Sequence, residues 1–287
     1  MPDSVMDPSE RDATARARRP SRILAIETSG RVGSVALGLG TPGAARPTTV
    51  CVEHFAHGMR HAVALMPTIQ RLVAQQGWRP ADLDDLYVST GPGSFTGLRI
   101  AIAVARALHQ ALGCRIVAVP TVDVLASNAP ADVQNLVIAL DAKRGQIFAA
   151  RYQRAAAGGL PVAHPPDVPP VESYGADPGA AAPLWRVAGP ALVDPAEFVR
   201  QTPRPVSVLG EGVEYHRPAL RAGVDSDSEL REIDKTLWPG SAEAVLRLGW
   251  LLRDRPADPT RLLPVYLRLP EAQELWEKRH GGGIASP

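Results

Sequence analysis

Several features that would assign a chain quickly are missing here. Only two cysteines occur in 287 residues, Cys51 and Cys114, and neither has a Cys or His companion at metal-ligand spacing. That excludes a disulfide framework or a zinc finger and leaves two reduced thiols. No apolar run approaches the ~18–20 residues needed to cross a bilayer. The N-terminal stretch carries arginines but no apolar core, so it does not read as a secretory signal; residues 1–21 read as a disordered leader of mixed charge. An excess of charge is absent as well: 31 Lys and Arg oppose 30 Asp and Glu, for a net charge of +1. Such a balance argues against a large basic surface that holds nucleic acid unaided. No Ser-His-Asp, Cys-His or paired-carboxylate arrangement can be argued, and Ser94 lacks the G-x-S-x-G flanks of a nucleophile elbow.

What is present is the composition of a soluble globular protein, 45% hydrophobic and 21% charged, with length for one or two domains. Apolar runs and turn residues predict strands over 22–26, 32–39 and 49–55, joined by tight turns into an antiparallel meander. Helical spacing covers 61–76, with Gly77 as its stop. A strand over 82–89 leads into a glycine-rich turn, followed by a helix over 98–112 that is apolar nearly all round. Strand 115–119, a short helix 121–127 capped by Thr121, and strands 135–140 and 146–152 follow. Together these describe an α/β domain over residues 22–154. Residues 155–183, rich in Pro, Gly and Ala, read as a linker or insertion. A smaller second unit is expected over 184–270, with strands near 186–189 and 206–210 and a helix over 241–253 capped by Ser241. Residues 271–287 read as a flexible tail. No internal repeat of fixed period is visible.

Four stretches carry chemistry. Glu27, Thr28 and Ser29 end the first strand with an acid and two hydroxyls, a pattern suited to a phosphate-facing turn, although an ordinary turn uses the same residues. Gly91-Pro92-Gly93-Ser94-Phe95-Thr96-Gly97-Leu98-Arg99 places glycines and hydroxyls between a strand and a helix. Glycine permits close backbone approach, and a helix N-terminus favours an anion. The spacing matches neither the P-loop nor the dinucleotide fingerprint. His57 and His61 stand four apart, but Gly58 interrupts the helical face they would need to share a metal. Asp141-Ala142-Lys143-Arg144-Gly145-Gln146 reads either as a charged loop closing a cleft or as a plain polar hairpin.

Ile23 to Ser29, His61 with Leu65-Met66-Pro67, Gly91 to Arg99, Asp141 to Gln146 and Pro264-Val265-Tyr266-Leu267-Arg268, in this order, resemble the bacterial TsaB (YeaZ) family over about residues 22–270. The Gly91 to Arg99 string is the most specific of them. The resemblance implies an actin-like (ASKHA, ribonuclease H-like) α/β fold of two tandem subdomains with mixed sheets. It implies a role in making the threonylcarbamoyl group on adenosine 37 of tRNA, as a noncatalytic partner of the related transferase TsaD. TsaE-like ATPase would be a further partner, a homodimer the form in isolation, and tRNA would be met only through the complex, in the cytoplasm. Catalytic relatives bind a metal through H-x-x-x-H on the first helix; here His61 is followed four residues later by Leu65, so no metal and no catalytic residue are expected. No cofactor is required on this reading. ATP or ADP would meet Glu27, Thr28, Ser29, Gly91, Gly93, Ser94, Thr96 and Gly97. The expected partner surface is the apolar face of the two helices: His61, Leu65, Met66, Ile69, Leu72 and Val73 on the first, with Ile102, Arg106 and Gln110 on the second. The competing expectation is an ATP-binding hydrolase or glycoprotease-like enzyme of the same superfamily.

Overall fold

The structure, a computed structural model, describes residues 19–56, 60–154, 171 and 183–268. Most of the expected leader, most of the linker over 155–183 and all of the tail lie outside the described residues, as does His57. Ser21–Glu27 (β1), Val32–Gly40 (β2) and Thr48–Ala56 (β3) form the antiparallel meander expected from the sequence. Asp85–Ser89 (β4) and Arg115–Val119 (β5) add in parallel on the far side of β1, giving the order β3-β2-β1-β4-β5. Central strands β1 and β4 are covered on both faces, which is why they read as unbroken apolar runs rather than alternating ones.

Alternate residues of β1 serve two cores, as the strand period of two requires. Leu24 and Ile26 pack under Arg60–Gln75 (α1) and Phe95–Leu112 (α2). Ile23 and Ala25 point the other way, into a core shared with Ala242–Leu251 (α6). Helix α1 stops where Gly77 takes the left-handed φ of 65° and the Trp78 amide turns back to the Val73 carbonyl at 3.0 Å. Helix α2 begins three residues before the expected Leu98. The Ser94 hydroxyl accepts the Gly97 amide and so caps the helix, and Gly113 at φ 72° ends it.

The second sheet repeats the connectivity of the first. Asn135–Asp141 (β6), Ile147–Arg154 (β7) and Leu184–Val193 (β8) run antiparallel, while Val206–Leu209 (β9) and Leu230–Glu232 (β10) add in parallel beside β6. The order β10-β9-β6-β7-β8 is the first sheet's order with each strand replaced by its counterpart. Pro195–Arg200 (α4) and Gly212–Arg221 (α5) cover its outer face. Thr121–Ala126 (α3) and α6 lie between the sheets, where Val122, Leu125, Val245 and Leu246 join residues of both into one core. No helix among the described residues is long and apolar enough to cross a membrane.

Three sequence expectations are corrected. Strands β6 and β7, placed in the first unit of 22–154, pair in the second sheet, whereas α6, placed in the second, packs on β1 and β2. Thr121 does not cap α3, because Pro120 holds the cap position; the Thr121 hydroxyl instead accepts the Gly91 amide at 3.0 Å. Helices α4 and α5 and strand β10 were not anticipated.

Candidate functional site: a cleft between the two sheets

The turns after β1 and β6 face each other across a cleft of about 480 Å³. One wall is Ser29, Gly30 and Arg31 with the glycine loop at Gly93, Ser94, Thr96 and Gly97; the other is Leu140, Asp141, Lys143 and Phe148 with Glu211 and Tyr215. A second lobe of about 390 Å³ shares Ser29, Gly30, Arg31, Leu140 and Glu211, and extends to Leu125, Lys235 and Trp238.

The glycine loop is locked onto the β1 turn. A Cβ on Gly97 would stand 1.9 Å from the Thr28 carbonyl oxygen, and one on Gly93 2.6 Å from that of Ser29. These glycines are required because backbone meets backbone there. The Thr28 hydroxyl donates to the Gly97 carbonyl at 2.8 Å, and the Ser94 amide donates to the Ser29 carbonyl at 2.6 Å. Three loop amides that a phosphate could have used are spent internally: Gly91 on Thr121, Ser94 on Ser29, and Gly97 on the Ser94 hydroxyl.

Glu27 is buried completely and is absent from the cleft walls. Its carboxylate accepts the Ser29 amide at 2.5 Å and lies against Gly240, where an added Cβ would approach the carboxyl carbon to 3.3 Å. Burial pushes its carboxyl above the ordinary value, against the lowering effect of hydrogen bonds from Ser29 and Ser89. Of the residues expected to meet a nucleotide, Ser29, Gly93, Ser94, Thr96 and Gly97 do reach the cleft, while Glu27, Thr28 and Gly91 are turned into the protein. The geometry therefore does not fit a metal-bound phosphate held by Glu27. Among the described residues, no three His, Cys, Asp or Glu side chains come together as a metal site.

The charged groups of the cleft lie mainly on the opposite wall; the sequence reading named Asp141 and Lys143 in the 141–146 loop and missed Glu211. Asp141 ends β6 as Glu27 ends β1, yet it faces the cleft. Burial would raise its carboxyl, but hydrogen bonds from Lys143 and His216 outweigh this and hold it at about 2. The Lys143 ammonium donates to it at 2.5 Å and His216 Nε2 lies 3.0 Å away. To make this turn, Lys143 and Arg144 take left-handed φ values of 64° and 55°, each costing on the order of 1 kcal/mol. Glu211 is raised by burial, opposed by Arg31. Arg31 crosses between the walls: its guanidinium donates to the Tyr215 hydroxyl and lies 3.8 Å from the Glu211 carboxylate. Arg31, Glu211 and Tyr215 stand alone in the sequence with no motif around them. The one available signal was the position of Arg31 directly after Ser29 and Gly30.

The expected partner surface needs correction. Leu65, Ile69, Leu72, Val73 and Ile102 are buried in the chain's own core against β1, β2 and β4, so they offer nothing to a second protein. Burying each side chain there contributes roughly 1.5–3 kcal/mol to the fold. Met66 is half-buried, and Arg106 and Gln110 are exposed as expected. His61 lies in α1, and its side chain is outside the described residues. The outward face instead carries Val63, 74% exposed, with Pro67 and Gln70 on α1 and Ala103, Ala107 and Ala111 on α2.

Comparison with known proteins agrees with this geometry. A family model described as TsaD: tRNA N6-adenosine threonylcarbamoyltransferase matches residues 56–218, more than half of the chain. The tRNA threonylcarbamoyladenosine biosynthesis protein TsaB of Bacillus subtilis is 28% identical over 256 residues, covering 88% of this chain and 97% of that protein. The protein of the same name in Escherichia coli is 34% identical over 137 residues, covering 46% of this chain and 55% of its own length. Among solved structures, YeaZ from Pseudomonas aeruginosa superposes with a TM-score of 0.62 at 24% identity, over 86% of this chain and 100% of that one. That likeness establishes the fold, the two-unit α/β architecture with mixed sheets expected above.

Proposed function

The chain belongs to the TsaD-type threonylcarbamoyltransferase family, in its TsaB (YeaZ) branch, and from this premise we propose that it serves tRNA threonylcarbamoyladenosine synthesis as a noncatalytic partner and activator of a TsaD-like transferase. The observation that carries the noncatalytic part is Leu65. It stands four residues after His61, where the family resemblance would place the second histidine of a metal-binding pair, and it is fully buried among apolar side chains, where no metal ligand could reach solvent or substrate. The cleft supports the same reading, since three amides of its glycine loop are spent on internal hydrogen bonds and Glu27 is turned inward. On this proposal no cofactor is needed, a TsaE-like ATPase and tRNA are met through the complex, and the protein works in the cytoplasm.

The docking surface we propose is the outward face of α1 and α2, centred on Val63, Pro67, Ala103 and Ala107. A large exposed valine beside a stripe of alanines allows two helix pairs to approach closely and exclude water. The same face would form the homodimer when the partner is absent. The test is co-purification with the TsaD-like protein. Val63→Asp combined with Ala107→Asp is expected to abolish co-purification while leaving the thermal midpoint within a few degrees, because both side chains are exposed. Unchanged complex formation by that variant would overturn the assignment of this face.

A further inference from the structure

The segment 262–268 touches the elements that carry both walls of the cleft, the glycine loop with α2 on one side and the turn between β6 and β7 on the other. Leu262 is buried in the core beneath α2, which anchors the segment in the first half. The Val265 amide then donates to the Thr90 carbonyl at 2.8 Å, at the start of the glycine loop. Gly91 at φ 112° makes room for it: a Cβ there would stand 3.2 Å from the Val265 carbonyl oxygen. One residue on, the Tyr266 hydroxyl accepts from Arg99 Nε at 2.8 Å and its ring packs on Phe95 with centroids 5.1 Å apart. The Arg99 guanidinium also stands 3.9 Å from the Phe95 ring centroid and 5.8 Å from that of Tyr266, so the first turn of α2 is held by a cation that caps a pair of packed rings. Finally, the Arg268 guanidinium donates to the Gln146 side-chain carbonyl, on the turn between β6 and β7. Three stretches conspicuous in the sequence, Gly91 to Arg99, Asp141 to Gln146 and Pro264 to Arg268, are therefore bonded to one another.

We infer that residues 262–268 are a clasp across the cleft, so that separating its walls and loosening the glycine loop with the first turn of α2 are a single event. The two halves share a core at α3 and α6, which acts as the fixed base. Away from that base the clasp and the Arg31 contact with Tyr215 and Glu211 span the walls. Rigid halves on a common base, joined by few and mostly polar contacts at the opening, have the construction of a hinge. If the outward face of α2 meets the partner, as proposed above, the clasp also connects that face to the cleft; the inference itself does not require a partner.

Hydrogen–deuterium exchange on the full chain alone tests the clasp. Arg268→Ala is expected to raise amide exchange about tenfold in both residues 89–98 and residues 141–147, the amount one charge-assisted hydrogen bond supplies. Gln146→Ala should raise exchange in both segments as well, and combining the two should give less than the sum of the single effects, because both changes break the same Arg268–Gln146 link. Tyr266→Phe, which keeps the ring packing and removes only the Arg99 hydrogen bond, should raise exchange in both segments to a smaller extent. Increased exchange confined to residues 262–268, or effects of Arg268→Ala and Gln146→Ala that sum, would overturn the clasp.

Discussion

Two acids end the two central strands of this molecule, at topologically equivalent places, and they have opposite fates. Glu27 follows β1 and is buried against Gly240 with its carboxyl raised by desolvation. Asp141 follows β6, lines the cleft, and is held at about 2 by Lys143 and His216. The walls they belong to differ in the same sense. The first wall is backbone against backbone, Gly93 and Gly97 on Ser29 and Thr28. The second is built from ionisable side chains in a strained turn. A shared topology thus constrains where groups stand and leaves their electrostatics free.

Breaking the tight wall should have the largest effect. Gly97→Ala forces a methyl to within 1.9 Å of the Thr28 carbonyl oxygen, and neither backbone can yield without tearing the loop from the β1 turn. Allowing for the better helix propensity of alanine, a loss of about 3 kcal/mol is expected in chemical denaturation. A loss below about 1 kcal/mol would mean that the two backbones are not in contact.

The charged wall should respond next. Asp141 has its carboxyl lowered on folding, so its contribution is complete above the ordinary value near 3.8 and is lost as pH falls toward about 2. Asp141→Asn should cost about 2 kcal/mol at pH 7 and flatten the acid limb of the stability curve between those values. An acid limb of unchanged slope would remove Asp141 from the account. Glu27 should behave in the opposite direction and more weakly. A carboxyl raised on folding loses stability as pH rises above its ordinary value of 4.5. Glu27→Gln keeps an acceptor for the Ser29 amide and removes the buried charge, so it should be neutral or stabilising by up to about 1 kcal/mol at pH 7. A marked destabilisation would show that the charge itself is needed.

Much of the fold was legible because its strands are either continuously apolar or bounded by glycine. The glycine loop stood out for a reason different from the one its composition suggested. Its glycines allow the close approach to the β1 turn, a packing constraint that composition alone does not separate from a phosphate-facing turn. The division of the chain was misplaced because nothing in composition changes between β5 and β6; only strand pairing separates them. Helices α4 and α5 were missed because α4 is a six-residue helix opening on Pro195 and α5 contains Pro218 and lacks a side-chain cap. The helix spacing of α1 identified an apolar face correctly but could not say whether sheet or partner covers it, and Leu65 and Ile69 turned out to face the sheet. Arg31, Glu211 and Tyr215 come together only through the pairing of distant turns, which no local pattern records.

The central claim is that this protein acts through the outer face of two helices and performs no chemistry in its cleft. The most direct measurement is threonylcarbamoylation of tRNA by a reconstituted system containing the TsaD-like partner, comparing Val63→Asp/Ala107→Asp with Arg31→Ala/Lys143→Ala. The account predicts that charging the helix face lowers the rate at least about tenfold, the loss expected when buried charges enter an interface, while the cleft variant stays within about twofold of the unaltered chain. Full activity with the charged helix face, together with loss of activity in the cleft variant, would contradict it.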